Sequence, residues 1–504
     1  MQDDGVIKRV DINTEGTAAT FTTVYTTADH KLTAPLGMAF GHDGTMYLAG
    51  NEISDTNSSY ATAVLMKGVR KSPDSEERTW DTLASTELYS FGHVYNHKTN
   101  ALIEDTSHTY IYMNNGAATD HGEMREGHRE VGLTSVILKI PEDTMHVLLK
   151  NDREWLKQHG FVLAEGVRNT FDLAYAGNGD LFGPENSDDR DDPEELNWIR
   201  EGHHYGFPWR IGGDNTPQQY YPYDPTKDPL LSPNAWGGGF GQLYSTYSND
   251  STYPAPPEGL VFTEPVLSYG PDADKFRDTT TGDAMDASEL GKTVSTFTPH
   301  LSVDGIVFDK DSVLAGDLKG GGFVTSFSRS GLITNLGDTS QNVMHIALTK
   351  EGDHYTAHVT KLVTGFDSPL GIEMVDNKLY VVETGLQYPP NAHPALWEIT
   401  LPTTVTDVKG TTGSSIPSEF VLGQNYPNPF NPVTTIHYSL PQNEFVQLTI
   451  FDVLGREIER LVNAVQTAGT HTVQFDGSNL DSGIYYYVMN AANRTDVKKM
   501  VLIK

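Results

Sequence analysis

Between Ala34 and Thr400 apolar and polar residues alternate in short runs, and Gly, Asn, Asp or Pro interrupts them every few residues. A period of two marks half-buried strands, and an Asp-Gly or Asn-Gly pair between two such runs marks a hairpin. "GMAFGHDGTMYLAG" (Gly37–Gly50) reads as strand, tight turn, strand. The phrase recurs in "FDLAYAGNGDLFG" (Phe171–Gly183) and "LGIEMVDNKLYVVETG" (Leu370–Gly385), with weaker copies at Ala101–Gly116 and Asp304–Asp317. One hairpin type recurring at irregular spacing predicts an all-β chain whose residues 1–402 form a β-propeller of six blades with long inserts. A β-sandwich with ordinary hairpins is the competing arrangement. Helical periodicity is scarce. "DREWLKQHG" predicts one short helix, with Asp152 as cap and Gly160 as stop.

Residues 403–419 lose the alternation and gain Thr, Ser and Gly, which predicts a linker. From 420 to 504 the alternation returns in "TTIHYSL", "VQLTIFDV", "HTVQFDG", "GIYYYVMN" and "KKMVLIK". So many half-buried strands in so short a length predict a small Ig-like β-sandwich.

Composition narrows the function classes. No run of 18 apolar residues occurs among the 504, so no helical membrane span is expected. The absence of cysteine excludes disulfides, thiolate metal sites and a cysteine nucleophile. A net charge of −32 leaves no basic surplus for nucleic acid. "MQDDGVIKR" lacks the basic-then-apolar pattern of a leader, which fits a processed mature chain as well as a cytosolic one.

The last block opens "FVLGQNYPNPFNPVTTIHYSLP" and continues through "LTIFDVLGREIERLV", "AGTHTVQFDG" and "KKMVLIK". In that order the phrases resemble the C-terminal sorting domain of the type IX secretion system. The resemblance implies recognition by that machinery and release or attachment at the cell surface, from a chain trimmed of its export signal. Pro427, Pro429 and Pro432 remove backbone donors and fix φ, so the entry loop is stiff.

The sharpest feature of the larger part is "GPENSDDRDDPEELNWIREGHHYGFP" (Gly183–Pro208), with eight carboxylates. Together with the preceding "GVRNTFDLAYAGNGDLF", it resembles the glucose/sorbosone dehydrogenase family, soluble propellers that use pyrroloquinoline quinone (PQQ) and Ca2+. The resemblance rests on Arg168-Asn169, Gly183-Pro184, Asp188 and Asp189, Glu194-Glu195 with Leu196-Asn197-Trp198-Ile199, and Gly202 through Tyr205-Gly206-Phe207-Pro208. It implies main-chain oxygens of Gly183 and Pro184 on the calcium ion that sits on the quinone, with the acidic residues further along able to hold a second, structural calcium; Asp188, Asp189, Glu194, Glu195 and Tyr205 are the further metal-holding candidates. Calcium takes six to eight hard oxygens, which suits carboxylates mixed with carbonyls. A solvated acidic loop is the competing reading for Asp191 and Asp192.

PQQ is a tricarboxylate and needs cations set against it. Arg168 and Asn169 are the family-implied partners, with Lys319 and Arg329 of "DLKGGGFVTSFSRSG" and Asn96 completing the cofactor face. Arg168 could instead pair with a neighbouring Asp. A histidine suits proton abstraction from a sugar hydroxyl. His97 occupies the family's position, with His93 as the fallback. Three runs depart from the family pattern: "KTNAL" after the base, "NNGAATDHGEMREGHRE" after the next strand, and "SFSRS" in the late blade. His121, Glu123 and His128 could form a metal cluster, but their spacing favours a charged loop.

These expectations describe a secreted PQQ- and calcium-dependent dehydrogenase oxidising aldoses to lactones, passing electrons to an external acceptor, with His97 and Arg168 at the reacting centre. A calcium-dependent lactonase and a non-catalytic glycan- or protein-binding surface propeller are the rival readings.

Overall fold

In the computed structural model the described residues are 5–12, 19–54, 59–90, 97–124, 127–231, 247–327, 336–384, 394–404, 420–423, 425, 428, 430–491 and 494–502. Strands take up 51% of the described residues and helices 6%. The chain divides into two compact units, Met1–Asp286 with Thr293–Val405, and Ala287–Lys292 with Thr406–Lys504. No helix of the described residues is long and apolar enough to cross a membrane.

In the larger unit, antiparallel meanders follow one another along the chain. The first joins Pro35–Phe40, Met46–Ile53, Tyr60–Arg70 and Arg78–Thr86, with Val147–Leu149 added in parallel at the edge. The second runs through Thr99–Glu104, Tyr110–Asn115, Val136–Pro141 and Val162–Glu165. The third is Ala174–Tyr175, Leu181–Glu185 and Glu195–Ile199. The fourth comprises Val303–Phe308, Gly322–Ser326, Asn342–Glu351 and His354–Thr364, with Leu267–Pro271 at its edge. The fifth is Pro369–Val375, Lys378–Glu383 and Ala395–Thr400.

Each apolar core lies between consecutive meanders. Tyr47, Leu65 and Leu83 pack on Leu102, Met113 and Leu138; Ala101 and Ile137 pack on Leu181 and Ile199. Phe182 and Leu196 meet Val303, Val324 and Met344, and Phe323 and Val343 meet Ile372 and Leu379. The first strands of neighbouring meanders approach backbone to backbone. A Cβ on Gly37 would overlap the carbonyl oxygen of Asn100, and one on Gly305 would sit 2.7 Å from that of Leu370. This close approach along one line brings polar groups from separate meanders together.

Local chemistry explains the turns. Gly44 and Gly179 adopt φ of +80° and +84° in the Asp-Gly and Asn-Gly turns, a region glycine enters without strain. The helix is Arg153–Gln158, and Asp152 accepts the Trp155 amide at 3.0 Å. One expectation fails: Ser312–Asp317 is not the return strand of Val303–Phe308. The Asp309 carboxylate accepts the amides of Val313, Leu314 and Gly320, folding that run into a loop, and Gly322–Ser326 returns instead.

The smaller unit packs two antiparallel sheets across one core. Val421–Leu422, Val433–Leu440 and Gly469–Asp476 form one sheet, and Glu457–Gln466, Glu444–Asp452, Gly483–Ala491 and Arg494–Leu502 the other. Alternate residues Ile436, Tyr438, Leu440, Val446, Leu448 and Ile450 point inward, as period-two patterning requires. The Tyr487 hydroxyl donates to Gly423 O and accepts the Asn425 amide, both at 2.8 Å.

The close approach of first strands has a measurable consequence. Gly37→Ala should destabilise the larger unit by about 1–3 kcal/mol, because the carbonyl it meets is backbone and cannot step aside. Gly371→Ala, with nothing within 4 Å of its Cβ, should stay within about 0.5 kcal/mol of the parent. Denaturant midpoints of the two variants check the contrast.

Candidate active site

The site is assembled where Arg168–Thr170 runs beside the strand Leu181–Glu185. Glu185 accepts the Arg168 amide at 2.6 Å through Oε1 and the Thr170 hydroxyl at 3.0 Å through Oε2. The Arg168 guanidinium is buried and bonds its own chain through all three nitrogens. Nη2 donates to Asp120 Oδ1 and Nε to Asp120 O, both at 2.7 Å, and Nη1 donates to Asn186 O at 3.0 Å. The alternative of pairing with a neighbouring Asp describes what is found.

His97 stands next to this pair. Its amide donates to Ala117 O at 3.0 Å, and the Ala117 amide donates to Arg168 O at 2.7 Å. Gly116 makes the approach possible, because a Cβ there would strike His97 Cβ and lie 3.1 Å from Arg168 O. As a residue His97 is half-buried, yet its Nδ1 is sealed from solvent and has no hydrogen-bond partner. Burial, reinforced by the Arg168 charge, holds the imidazole well below its ordinary protonation range. Burial opposes ionisation of Asp120, but the His121 hydrogen bond and the Arg168 charge outweigh it and keep the carboxylate low.

Asn169 belongs to a chain of amides with one direction. Asn114 Nδ2 donates to Asn100 Oδ1, Asn100 Nδ2 to Asn169 Oδ1, Asn169 Nδ2 to Asn186 Oδ1 and Asn186 Nδ2 to Val303 O, at 2.8, 3.1, 2.6 and 2.8 Å. The chain ties the second, third and fourth meanders. No sequence signal marks it, since the four residues are scattered.

The acidic segment turns inward rather than to solvent. Arg190 pairs with Asp192 at 2.6 Å and Asp228 at 2.9 Å; Asp191 accepts Arg277 Nε at 2.6 Å and His300 Nε2 at 2.9 Å. Asp191 and Asp192 are therefore buried ion-pair partners and not a solvated loop. Glu194 takes the amides of Ser302 and Val303, each at 2.8 Å. Glu195 takes the Gly212 amide and Asn197 Nδ2, each at 2.8 Å. Gly183 and Pro184 sit in the strand ladder opposite Asn197 and Leu196, with Pro184 O accepting the Phe171 amide at 3.2 Å. The Tyr205 hydroxyl donates to Trp198 O at 2.5 Å and accepts the Arg200 amide at 2.8 Å.

Among the residues expected around calcium, Glu194, Glu195 and Tyr205 are thus each bonded by other groups of the chain. Asp188 differs. It is 2% exposed, takes the Tyr247 hydroxyl on Oδ2, and leaves Oδ1 with no partner. The Asp189 amide lies 3.3 Å from Asp120 Oδ2, so both residues face the Arg168–Asp120 pair.

Lys319 is not brought to this group. It is exposed and follows the far end of Val303–Phe308, five residues or about 16 Å along the strand from the Asn186–Val303 contact. Asn96, His93 and Arg329 lie outside the described residues. Of the cluster weighed from sequence, His121 Nδ1 lies 3.6 Å from Glu123, whereas His128 bonds the Tyr60 hydroxyl at 3.1 Å. The missed residue is Asp120, hidden in a loop that departs from the family pattern. An open cleft of about 690 Å³, lined in part by His204, Phe207, Pro208 and Trp209, includes none of the expected catalytic or cofactor-binding residues.

Burial pushes Glu185, Glu194 and Asp172 up to about 7 and Glu195 up to about 8. The folded chain thus binds more protons than the unfolded chain, whose carboxylates titrate near about 4. The stability these groups contribute is complete below that value and is lost as pH rises through 7 to 8. Buried His97, His204 and His345, all lowered, act in the opposite sense, below about pH 6.5. In chelator the urea midpoint should fall between about pH 6.5 and 8.5. Glu195→Gln should flatten that fall.

Comparison with known proteins gives two findings for the two parts of the chain. Residues 424–504 match the family described as the secretion system C-terminal sorting domain. No curated protein matches the chain. Among solved structures it is similar to the PQQ-bound aldose sugar dehydrogenase of Streptomyces coelicolor, at 16% identity and TM-score 0.43, covering 79% of this chain and 88% of that one. A glucose dehydrogenase follows at 14% and 0.43, covering 77% and 89%. The soluble aldose sugar dehydrogenase of Escherichia coli, in its apo form, stands at 14% and 0.42, covering 74% and 86%. Sugar dehydrogenases, one of them PQQ-bound, are thus among the structural neighbours of this chain, and residues 424–504 match a secretion sorting domain.

Proposed function

We propose that the larger unit is a six-bladed propeller dehydrogenase of sugar hydroxyls, exported and displayed at the cell surface by type IX secretion through its tail. One observation carries the enzymatic reading: the imidazole of His97, held neutral, beside a guanidinium fixed in place by a carboxylate. The motif string from Arg168 to Pro208 supports it.

The fit of the implied groups differs between them. A neutral base and a neighbouring cation are what abstraction of a hydroxyl proton needs, so the reacting side fits a quinone-dependent oxidation. Arg168 and Asn169 spend only part of their donors on the chain, and on this reading the N–H groups they keep, together with Asn96 and Arg329, take the carboxylates of the quinone. Of the residues expected to hold calcium, Glu194 and Glu195 are satisfied by the chain's own donors. PQQ, when bound, supplies the two-electron acceptor for the hydride leaving the sugar carbon.

The chain's own residues do the rest. His97, kept neutral by burial and the adjacent positive charge, accepts the hydroxyl proton on its imidazole. Arg168 stabilises negative charge on the substrate oxygen as that proton leaves. Asp120 fixes the guanidinium plane through two contacts, one to its carboxylate and one to its carbonyl. Gly116 keeps the base and the cation in register.

Sugar-dependent dye reduction by the full chain with PQQ should fall about 10²–10⁴-fold in kcat in His97→Gln. The acid limb of the wild-type pH profile should lie below the ordinary histidine value of about 6.5, because the base must be neutral to act. Quinone-independent lactone hydrolysis by the wild type would reassign the site to a hydrolase. A wild type that binds glycan yet catalyses neither reaction would reassign it to recognition.

A further inference from the structure

Asp120, His121 and Asp188 each offer a ligand atom, the three atoms lie within 4.8 Å of one another, and all three residues are buried. They come from two elements. Asp120 and His121 sit in the loop after Tyr110–Asn115, and Asp188 opens the acidic segment after Leu181–Glu185. A second observation points to a ligand: Asp188 Oδ1 is sealed from solvent with nothing to bond. A buried carboxylate oxygen without a partner is costly unless a proton or a metal satisfies it. We propose that these three side chains bind one divalent transition-metal ion.

The donor set argues for the class of ion. One imidazole nitrogen with two carboxylate oxygens suits zinc, manganese, iron(II) or cobalt, whereas calcium requires six to eight oxygens. Charge argues the same way. Asp120, Asp188, Asp189 and Asp192 crowd this locality, and Arg168 with Arg190 does not offset them all. The loop is already shaped for the task. The Glu123 carboxylate accepts the amides of His121 at 2.9 Å and Asp120 at 3.3 Å, and the Gly122 amide donates to Thr119 Oγ1 at 2.9 Å. Tyr247 stacks on the His121 ring with centroids 3.7 Å apart while its hydroxyl holds Asp188, so one side chain orients two ligands. On binding, the proton between His121 Nδ1 and Asp120 Oδ2, now 3.0 Å apart, gives way to the ion.

This inference is independent of the dehydrogenase reading, and its readout is spectroscopic rather than catalytic. The full chain, stripped with chelator, is titrated with Co2+ and followed by its visible d–d absorption. One equivalent should bind, Zn2+ should displace it, and His121→Gln and Asp188→Asn should each weaken binding by on the order of 10–100-fold or more. His42, Glu104 and His108 form the other described cluster of this kind, so the double variant His42→Gln/His108→Gln should retain the signal. If His121→Gln does not fold, the isosteric Asp188→Asn decides. The proposal is overturned by undiminished Co2+ binding in Asp188→Asn, by loss of the signal in the surface double variant, or by a wild type that binds Ca2+ but not Co2+.

Discussion

The buried pair between Arg168 and Asp120 is the contact on which the rest of the site depends. A guanidinium taken out of water needs its donors occupied, and here one residue supplies both a carboxylate oxygen and a carbonyl. Such a pair adds little net stability against an apolar replacement, yet losing one partner strands a buried charge at about 3–5 kcal/mol. Its presence therefore reads as a constraint on geometry more than as a source of stability. The neutral state of His97, the position of the Asp189 amide and the inward turn of the acidic segment all refer to it.

Much of the fold was legible because alternation and turn chemistry are local. The Asp-Gly and Asn-Gly hairpins, the Asp152-capped helix and the alternating strands of the tail follow from residues within a few positions of one another. The loop at Asp309–Gly321 was not legible, because one carboxylate collecting three amides overrides a strand-like composition. At the site, His97 and Arg168 were each implied by the family resemblance, and Asp120 was not, since its partner lies 48 positions away. The same reason hid the fate of the acidic segment: Asp191 finds Arg277 and His300, and Arg190 finds Asp228. Spacing reveals charge density and says nothing of distant countercharges.

The two units solve their packing separately. The tail draws its core from its own seven strands, from Phe420 to Leu502, in keeping with a segment read by an export apparatus and, on the type IX reading, dispensable afterwards. The larger unit has no single core. Its apolar layers lie between successive meanders, and the polar residues that remain are pushed toward the line where first strands meet.

The asparagine chain from Asn114 to Val303 has a polarity, for every amide donates in the same sense. Each dipole reinforces the next, so the row acts as one cooperative unit across three sheets. Hydrolysis of the Asn169 amide to a carboxylate would set two acceptors face to face at Asn186 and halt the sequence midway. Chemical ageing at a single amide would then loosen the joints of an otherwise intact molecule, and the damage would surface first where the sheets converge.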